Sequence, residues 1–584
     1  MHRKLFKALI FSFASILILF LFIGSLALKL NNKYRPSIYN YESYLAPGII
    51  KKLNQNYHYK QFKEVNEFTQ ALVQDKAIAG VGSDFQAAQL ILDKKIKKID
   101  YSVVFGDENK DWNKRKNLFT ETIQNHLENF DQLIYNKLAS MTEDDLKRIG
   151  FEIDPQKKAW RMLDETKAKN EKEWDHFADF IIPYYSQDKG IAYNINKDTR
   201  PHLKDLNDDG EIEELKEANL KKDWLDIFKI LHKHNYQRIG WTNAYVDNLM
   251  IGAFNSRKEW TKEFTANGEG KLFDFNEKNY KDAIDSFVSF VKNASGYEIR
   301  NTMHNFLSGD GLELVNHLIE PASGRSDAAV VYNGDALDAY YSKDNFASVE
   351  EGKIRFIRPK HNYILMDGWI ISHKLSEEDT KKFLEALKEN VYHNNAKFNK
   401  EDGLMNLEEE FIAKIIENIG DKEIKEAKEI LASIFENEEA KKEIIEQLNK
   451  NETLKTTDWN KLDEWTKNIN PKEVDNKKFK DFLHIVRSHS DDGYKLFEDI
   501  FSDVFSDIEL SEIGNFDYIS YTPADALTYA FIDKWYFGND EIAKGIFEQP
   551  HPEKDSEYQL FTYPLIENNL RTKIVSYYFE KTKN

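Results

Sequence analysis

The chain contains no cysteine in its 584 residues. This absence excludes disulfide bonds, thiolate metal sites, cysteine nucleophiles and a lipid-modified N-terminal cysteine. Also missing are a Gly-x-Ser-x-Gly nucleophile motif, a His-Glu-x-x-His metal motif and a Gly-x-x-x-x-Gly-Lys-Ser/Thr phosphate loop. Paired acids would suit a glycosidase, but the sequence identifies no two carboxylates at the separation that such catalysis needs. We therefore expect a protein that is not an enzyme and has no ATP site of its own.

Acidic residues outnumber basic ones, with 100 Asp and Glu against 81 Lys and Arg, which gives a formal net charge of −19. An acidic surface repels phosphate backbones, so we expect no nucleic acid partner. Hydrophobic residues make up 41% of the chain and aromatic residues 13%, which is enough for a large folded core. The length predicts two or more domains.

The first 33 residues predict a membrane anchor. Basic residues at the very start precede an uncharged apolar run over 8–28, and about 20 such residues can span a bilayer as a helix. The basic flank places the N-terminus inside and the rest of the chain outside. A cleaved signal peptide, with its site near Ala27, is the alternative. We expect a single-pass helix at 1–33 that contacts lipid in the cell membrane and holds a soluble domain on the extracellular face.

Short apolar strands alternate with helical patterns in the first hundred residues. Strand-like residues 37–40 and 77–81 are each followed by helix signals. This alternation predicts an α/β fold with a parallel or mixed sheet, in which ligands bind at the carboxyl ends of strands. Further strands are expected at 180–185, 328–332, 363–366 and 516–521.

Two charged blocks interrupt this alternation. Residues 106–175 contain few of the Gly and Pro residues that end helices, and they predict a charged helical insertion. Residues 376–512 predict a second one, in which Phe411, Ile412 and Ile415 share one helical face. Similar apolar faces recur later in this block, which indicates a helical insertion with its own small core.

Aromatic and acidic residues follow the predicted strands. Aromatic faces attract ammonium groups and carboxylates supply the counter-charge, so such a set suits a flexible organic cation. Each residue alone is more typical of packing or of a turn. The candidate ligand-binding residues found in this way are Tyr41, Glu42, Ser43, Tyr44, Ser83, Asp84, Phe85, Tyr332, Asp335, Asp367 and Tyr521.

Seven short motifs occur in the order in which they occur in one known family. They include Tyr-Asn-Tyr-Glu-Ser-Tyr-Leu-Ala-Pro-Gly at 39–48, Ile-Pro-Tyr at 182–184 with Gly-Ile-Ala-Tyr-Asn at 190–194, and Val-Val-Tyr-Asn-Gly-Asp-Ala at 330–336. The chain thereby resembles the extracytoplasmic polyamine-binding protein of bacterial spermidine/putrescine ABC transporters. The resemblance covers about 37–375 and 513–580. The abundance of Lys, Asn, Phe and Tyr is typical of AT-biased, mycoplasma-like genomes.

The resemblance implies a two-lobed type II periplasmic-binding-protein fold with helical insertions. Lobe one would comprise 36–185 and 362–584, and lobe two would comprise 186–361. The crossing segments near 183–194 and 358–367 would form the hinge. The implied partners are a polyamine ligand and permease subunits that work with a separate ATPase.

The family's ligand-binding roles transfer to individual positions. Tyr41 and Tyr332 would stack on a methylene chain, and Tyr44, Phe85 and Tyr521 would occupy aromatic positions of the cleft. The resemblance assigns amine-binding carboxylates to Asp367 and, as the nearest match, to Asp247, and a hydroxyl to Ser83. This chain departs from the family in its Glu42-Ser43 order and in Leu365, which replaces a tryptophan, while Asp84 and Asp335 add carboxylates.

Two other functions remain open at this stage. One is a receptor for a sugar or another solute on the same fold, and the other is a surface adhesin that uses the long helical insertion for contact. Binding of several solutes, compared side by side, distinguishes these alternatives.

One short acidic segment has the start of a calcium loop. Asp205, Asn207, Asp209 and Glu211 alternate as oxygen donors around a glycine at the sixth position. The twelfth position should be a bidentate acid but is Lys216. The alternative is an acidic turn that caps the following helix. A structural calcium ion is the one cofactor that the sequence suggests.

Overall fold

The structure is a computed structural model. It describes residues 35–418 and 511–583, except for gaps at 64–65, 164–172, 208, 217–221, 257–274, 345, 347, 399–401, 538–539 and 552–556, and it describes isolated helical positions between 422 and 442. The predicted anchor at 1–33 lies outside these residues. Within them, no helix has the length and apolar character needed to cross a membrane.

The described residues form a mixed α/β fold around one curled sheet. Eleven strands form this sheet, in the order β2-β1-β3-β11-β6-β9-β7-β8, with β10 and β12 paired to β6 and β13 paired to β11, while β4 and β5 form a separate hairpin. The strands are β1 (Ser37–Tyr41), β2 (His58–Phe62), β3 (Ala79–Ser83), β4 (Phe151–Asp154), β5 (Ala159–Met162), β6 (Ile182–Asn194), β7 (Ile239–Thr242), β8 (Asn305–Ser308), β9 (Ala328–Tyr332), β10 (Ile354–Ile357), β11 (His361–Ile371), β12 (Thr522–Pro523) and β13 (Gln559–Phe561).

Helices cover both faces of the sheet. Several begin at a capping side chain, as where Ser376 accepts a hydrogen bond from the Asp379 backbone N–H. The α-helices are Pro47–Leu53, Asn66–Val73, Asp84–Leu92, Tyr101–Phe105, Trp112–Arg115, Glu121–Ala139, Glu143–Ile149, Glu213–Lys216, Trp224–Lys233, Tyr245–Asn255, Tyr280–Ser295, Gly311–Ile319, Asn333–Tyr340, Glu377–Asn390, His393–Phe398, Gly403–Asn418, Ser511–Ile519, Ala526–Trp535, Glu541–Phe547 and Asn568–Lys583. Short 3₁₀ turns occur at Asp107–Lys110, Lys116–Leu118, Phe177–Asp179 and Ser342–Asp344.

The long strand β6 joins two parts of the sheet. Its first part, up to Asp188, pairs with β11, and its second part, from Lys189, pairs with β9 and β10. All thirteen of its residues are buried. We call the part built on β1–β3 and the start of β6 the first half, and the part built on β7–β10 the second half. Residues that follow β6 across this junction therefore meet side chains from both halves.

The terminal helix Asn568–Lys583, which we call the C-terminal strap, packs on the second half, and the residue before it contacts the first half. Just before it, Glu567 forms an ion pair with Lys137 of the first half at 2.6 Å. In the strap itself, the Tyr578 hydroxyl donates to Asn243 Oδ1 at 2.8 Å and accepts from Asn248 Nδ2 at 2.7 Å, both in the second half. A cavity of about 510 Å³ separates the strap from helices Asn66–Val73 and Asp84–Leu92.

Residues 516–521, predicted as a strand, are mostly helical. The helix Ser511–Ile519 buries Ile513, Phe516 and Ile519, which recur every third residue and therefore share one helical face. Ser520, with a φ of 64°, ends the helix, and the strand that follows is only β12. The strand prediction was wrong because the buried apolar residues of this segment follow the helical period.

Both charged blocks also differ from the prediction. Within 106–175 the structure contains the hairpin β4–β5 as well as helices, and Trp160 of β5 is fully buried. In the second block, Phe411 of helix Gly403–Asn418 packs against Phe531 at 5.1 Å and Trp535 at 5.7 Å between ring centroids. This helix therefore shares its core with the C-terminal region. Residues 443–510 of the predicted insertion lie outside the described residues.

Candidate functional site

Asp367 lies at the centre of the sheet, where β11 is paired with β3 on one side and β6 on the other. Its register partners are Ser83 and Tyr185. The carboxylate accepts hydrogen bonds from Ser83 Oγ at 2.7 Å, from the Tyr44 hydroxyl at 3.0 Å and from Gln187 Nε2 at 3.0 Å. All three donors are neutral, and no cationic side chain of the described residues pairs with Asp367. Burial raises the pKa of Asp367 to about 7.

Tyrosine rings surround this carboxylate. The Tyr41 hydroxyl lies 2.9 Å from Ser83 Oγ, so Tyr41 is linked to Asp367 through one intermediate group. The Tyr44 ring meets Tyr41 and Tyr521 edge-on, with both pairs of centroids 5.6 Å apart. Burial raises the pKa of Tyr44 well above its ordinary value, and the neighbouring Asp367 raises it further. These hydroxyls therefore remain neutral donors at physiological pH.

Asp247 forms a second buried cluster, on helix Tyr245–Asn255 of the second half. Its carboxylate accepts from the Tyr563 hydroxyl at 2.6 Å and from the Tyr332 hydroxyl at 3.2 Å. The Lys189 ammonium lies 3.0 Å from Asp247 Oδ2 and 3.3 Å from the centroid of the Tyr332 ring. Burial lowers the pKa of Lys189, and the charges of Asp247 and Asp335 oppose this shift.

Asp335 connects the two halves. It accepts from the Tyr521 hydroxyl at 2.7 Å and from the Tyr332 backbone N–H at 3.2 Å. The Tyr521 ring lies directly on Gly334, where a Cβ atom would be 1.9 Å from Tyr521 Cδ1. Nearby, Asn333 Nδ2 donates to Thr522 Oγ1 at 2.9 Å. The turn before β12 is thus held against the start of helix Asn333–Tyr340.

Four of the predicted residues have other surroundings. Glu42 and Ser43 are exposed on the turn after β1, where the chain leaves the sheet, and Glu42 pairs with Lys63 at 2.8 Å. Asp84 is buried but faces His126, at 2.6 Å, and the Met366 backbone N–H, at 2.8 Å. Phe85 stacks on Tyr563 with centroids 5.4 Å apart. Glu42 and Ser43 therefore lie outside the buried network. Asp84 contacts it through the backbone of Met366, the residue before Asp367.

Three residues of the network were not predicted from the sequence. Gln187 and Lys189 lie on the same face of β6, since alternate residues of a strand point the same way, and each meets one carboxylate. Tyr563 follows β13 and reaches Asp247. A sequence signal was available for the first two, because residues 186–189 form a polar run inside an otherwise apolar strand.

The calcium-like loop is stabilised by the protein's own cations. Lys216 Nζ lies 2.7 Å from Asp209 and 2.8 Å from Glu211, and Arg355 also pairs with Glu211 at 2.6 Å. Asn207 Oδ1 accepts from the Glu211 backbone N–H, which closes a turn ahead of helix Glu213–Lys216. Asp205 has a φ of 52°. Among the described residues, no group of three potential ligands is arranged to hold a metal. Calcium binding stays a prediction, and it would require the displacement of Lys216.

Comparisons with known proteins identify similar structures but no family. No family model matches the chain, and no curated protein matches it. A putative spermidine/putrescine ABC transporter from Listeria monocytogenes is 12% identical, with 94% of this chain and 99% of that chain covered and a TM-score of 0.43. The spermidine/putrescine substrate-binding protein PotD of Streptococcus pneumoniae is 12% identical, with 61% and 78% covered and a TM-score of 0.35. The Tp0655 (TpPotD) lipoprotein of Treponema pallidum is 15% identical, with 62% and 83% covered and a TM-score of 0.34.

Proposed function

We propose that this protein is the solute-binding component of an ABC transporter and that its ligand is an organic amine, with spermidine and putrescine as the first candidates. The single observation that carries the proposal is Asp367. It is a buried carboxylate at the junction of two α/β halves, with neutral hydrogen-bond donors and tyrosine rings around it, and within the described part of the chain no cationic side chain pairs with it.

An ammonium group would supply what this carboxylate lacks. A buried ionised carboxylate without a counter-charge is costly, and a ligand ammonium removes that cost. The faces and hydroxyls of Tyr41 and Tyr44 offer the ammonium group the remaining contacts. Because residues of both halves meet here, ligand binding would favour the closed arrangement, which a permease can recognise. Transport energy would come from a separate ATPase.

Ligand-dependent thermal unfolding tests the proposal. A specific ligand raises the unfolding midpoint as its concentration exceeds the dissociation constant. We expect spermidine, putrescine or butylamine to raise the midpoint and maltose to leave it unchanged. A shift with maltose alone would indicate a sugar receptor. The absence of any shift with millimolar amines would contradict the proposal and favour the adhesin alternative.

The variant Asp367→Asn makes the test specific to the site. Loss of the counter-charge should weaken amine binding by about 2–4 kcal/mol while the protein remains folded. Glu42→Gln is the matched control, because Glu42 is an exposed carboxylate outside the buried network, and its amine affinity should equal that of the wild type. Titration calorimetry measures both. Wild-type affinity in Asp367→Asn would remove Asp367 from the site.

The location of the protein is part of the proposal. We propose that residues 1–33 form a single transmembrane helix that holds the binding domain at the extracellular face. Deletion of 1–33 should move the protein from the membrane fraction to the soluble fraction. Persistence of the shortened protein in the membrane fraction would contradict an anchor in this segment.

A further inference from the structure

Lys189 places a primary ammonium group inside the candidate site. The residue is fully buried, and it is the register partner of Tyr332 in the β6–β9 pairing. Its ammonium lies 3.0 Å from Asp247 Oδ2 and 3.3 Å from the Tyr332 ring centroid. It therefore makes both contacts, with a carboxylate and with an aromatic face, by which a protein recognises a ligand amine.

The two carboxylate clusters differ in their counter-charge. Lys189 forms an ion pair with Asp247 and also acts electrostatically on Asp335. Asp367 has, among the residues that the structure describes, neutral donors only. Gln187, which contacts Asp367, and Lys189 are two residues apart on one strand, so their Cα atoms are about 7 Å apart. A diamine that spans from Asp367 to Asp247 would have to place its second ammonium where the Lys189 ammonium already pairs with Asp247.

We propose that Lys189 is a tethered replacement for one ligand ammonium and thereby determines specificity. The site then holds its solute through a single ammonium at Asp367, and it disfavours a second ammonium at the Asp247 end because like charges in a buried site repel. This inference rests on the proposed function and narrows it from polyamines in general to amines that present one ammonium group to the site.

The test compares butylamine, which has one ammonium, with putrescine, which has the same carbon chain and two. Calorimetry gives the ratio of the dissociation constant of butylamine to that of putrescine. We expect a ratio below about three for the wild-type protein, because the second ammonium finds no unpaired carboxylate. In Lys189→Met the ratio should rise to about ten or more, because Asp247 becomes available. Lys60→Met is the matched control, since Lys60 lies over the Tyr39 ring at 5.3 Å but away from the site.

A second variant separates removal of the lysine from exposure of Asp247. In Lys189→Met/Asp247→Asn the buried charge is absent, so the gain for putrescine seen in Lys189→Met should disappear. This variant also avoids the instability that an unpaired Asp247 brings to Lys189→Met. If Lys189→Met does not fold, the inference is tested on the wild-type protein alone. A wild-type ratio of the butylamine to the putrescine dissociation constant of about ten or more then overturns it.

The outcomes distinguish this inference from the function on which it rests. Wild-type binding of both amines with a strong preference for putrescine, or an unchanged ratio in folded Lys189→Met, overturns the role of Lys189 and leaves the amine receptor intact. Failure of the wild type and of every variant to bind either amine overturns the proposed function and this inference with it.

Discussion

At the scale of single residues, the burial of Asp367 has a consequence for stability. Its pKa is raised to about 7 in the folded protein, against about 3.9 in an unfolded chain. Between these values the folded protein holds a proton that the unfolded chain has released. The contribution of Asp367 to the free energy of unfolding therefore falls as the pH rises from about 4 to about 7.

Replacement of this carboxyl group should remove that pH dependence. Without ligand, Asp367→Asn should match the wild type near pH 4 and exceed it above pH 7, by up to about 4 kcal/mol. In the wild type the Ser83 hydroxyl donates to Asp367. In the variant it can accept from the new amide and donate to the Tyr41 hydroxyl, so the network keeps its bonds with one of them reversed. Urea unfolding of both proteins from pH 4.5 to 8 measures the difference. Parallel curves over this range would show that Asp367 is ionised throughout.

Gly334 is required by the close approach of a tyrosine ring. A Cβ atom at this position would lie 1.9 Å from Tyr521 Cδ1, so Gly334→Ala must displace the ring and its bond to Asp335. We expect a loss of about 1–3 kcal/mol in the free energy of unfolding. Gly514→Ala is the control, because Gly514 lies inside helix Ser511–Ile519 with nothing within 4 Å of its Cβ position. It should gain about 0.5–1 kcal/mol. Equal effects in urea unfolding would contradict this account.

At the scale of helices and strands, helix Gly403–Asn418 of the second charged block packs into the C-terminal core. Phe411 is fully buried between Phe531 and Trp535, and the Trp535 indole N–H donates to Glu408 Oε1 at 2.9 Å.

Phe411→Ala should cost about 3–5 kcal/mol of unfolding free energy. Met405→Ala, on an exposed part of the same helix, should change it by less than about 0.5 kcal/mol. A small effect of Phe411→Ala would mean that this helix folds independently.

The sequence predicted those strands whose side chains are uniformly apolar. Residues 328–332 and 363–366 read as strands and are strands, because a strand buried on both faces leaves an unbroken apolar run. The same criterion failed to predict the centre of β6 as strand, because Ser186 to Lys189 are polar although they are buried. Their polarity is stable only because partners distant in sequence, such as Asp247 and Asp367, meet them in the fold.

The candidate site was predicted only in part, because contacts between residues distant in sequence complete it. Tyr44, Ser83 and Asp367 could be placed together because the sequence predicted each to follow or end a strand of one sheet, although Asp367 lies inside β11. Their hydrogen-bonding partners and the position of Lys189 depend on side-chain contacts between the halves, which no spacing in the sequence encodes. Glu42 was misplaced because the chain turns away from the sheet directly after β1.

At the scale of the whole molecule, contacts at the site also hold the halves together. Tyr521 bonds to Asp335, and Thr522 bonds to Asn333, across the junction beside β6. The network that would bind a ligand is therefore also part of the contact that keeps the two halves closed. Under the proposed function, these bonds would have to exchange partners for a ligand to enter.

The C-terminal strap adds a kinetic consequence to this closure. Glu567, directly before the strap, pairs with the first half, and Tyr578 of the strap bonds to the second half. We therefore expect one of these contacts to break before the halves separate. Amine binding should then pass through a first-order step, so the observed rate constant should reach a plateau as the amine concentration rises. Tyr578→Phe removes two hydrogen bonds and keeps the ring, and it should raise that plateau about three- to tenfold.

Stopped-flow fluorescence from the native tryptophans measures this plateau. Tyr518→Phe is the control, since Tyr518 is an exposed tyrosine outside the strap. A rate constant that rises in proportion to amine concentration throughout, in both proteins, would show that the strap does not limit entry. A plateau that rises with the loss of one hydroxyl would show that the sixteen-residue strap limits the rate of amine binding. That rate would then be set far from the atoms that recognise the amine.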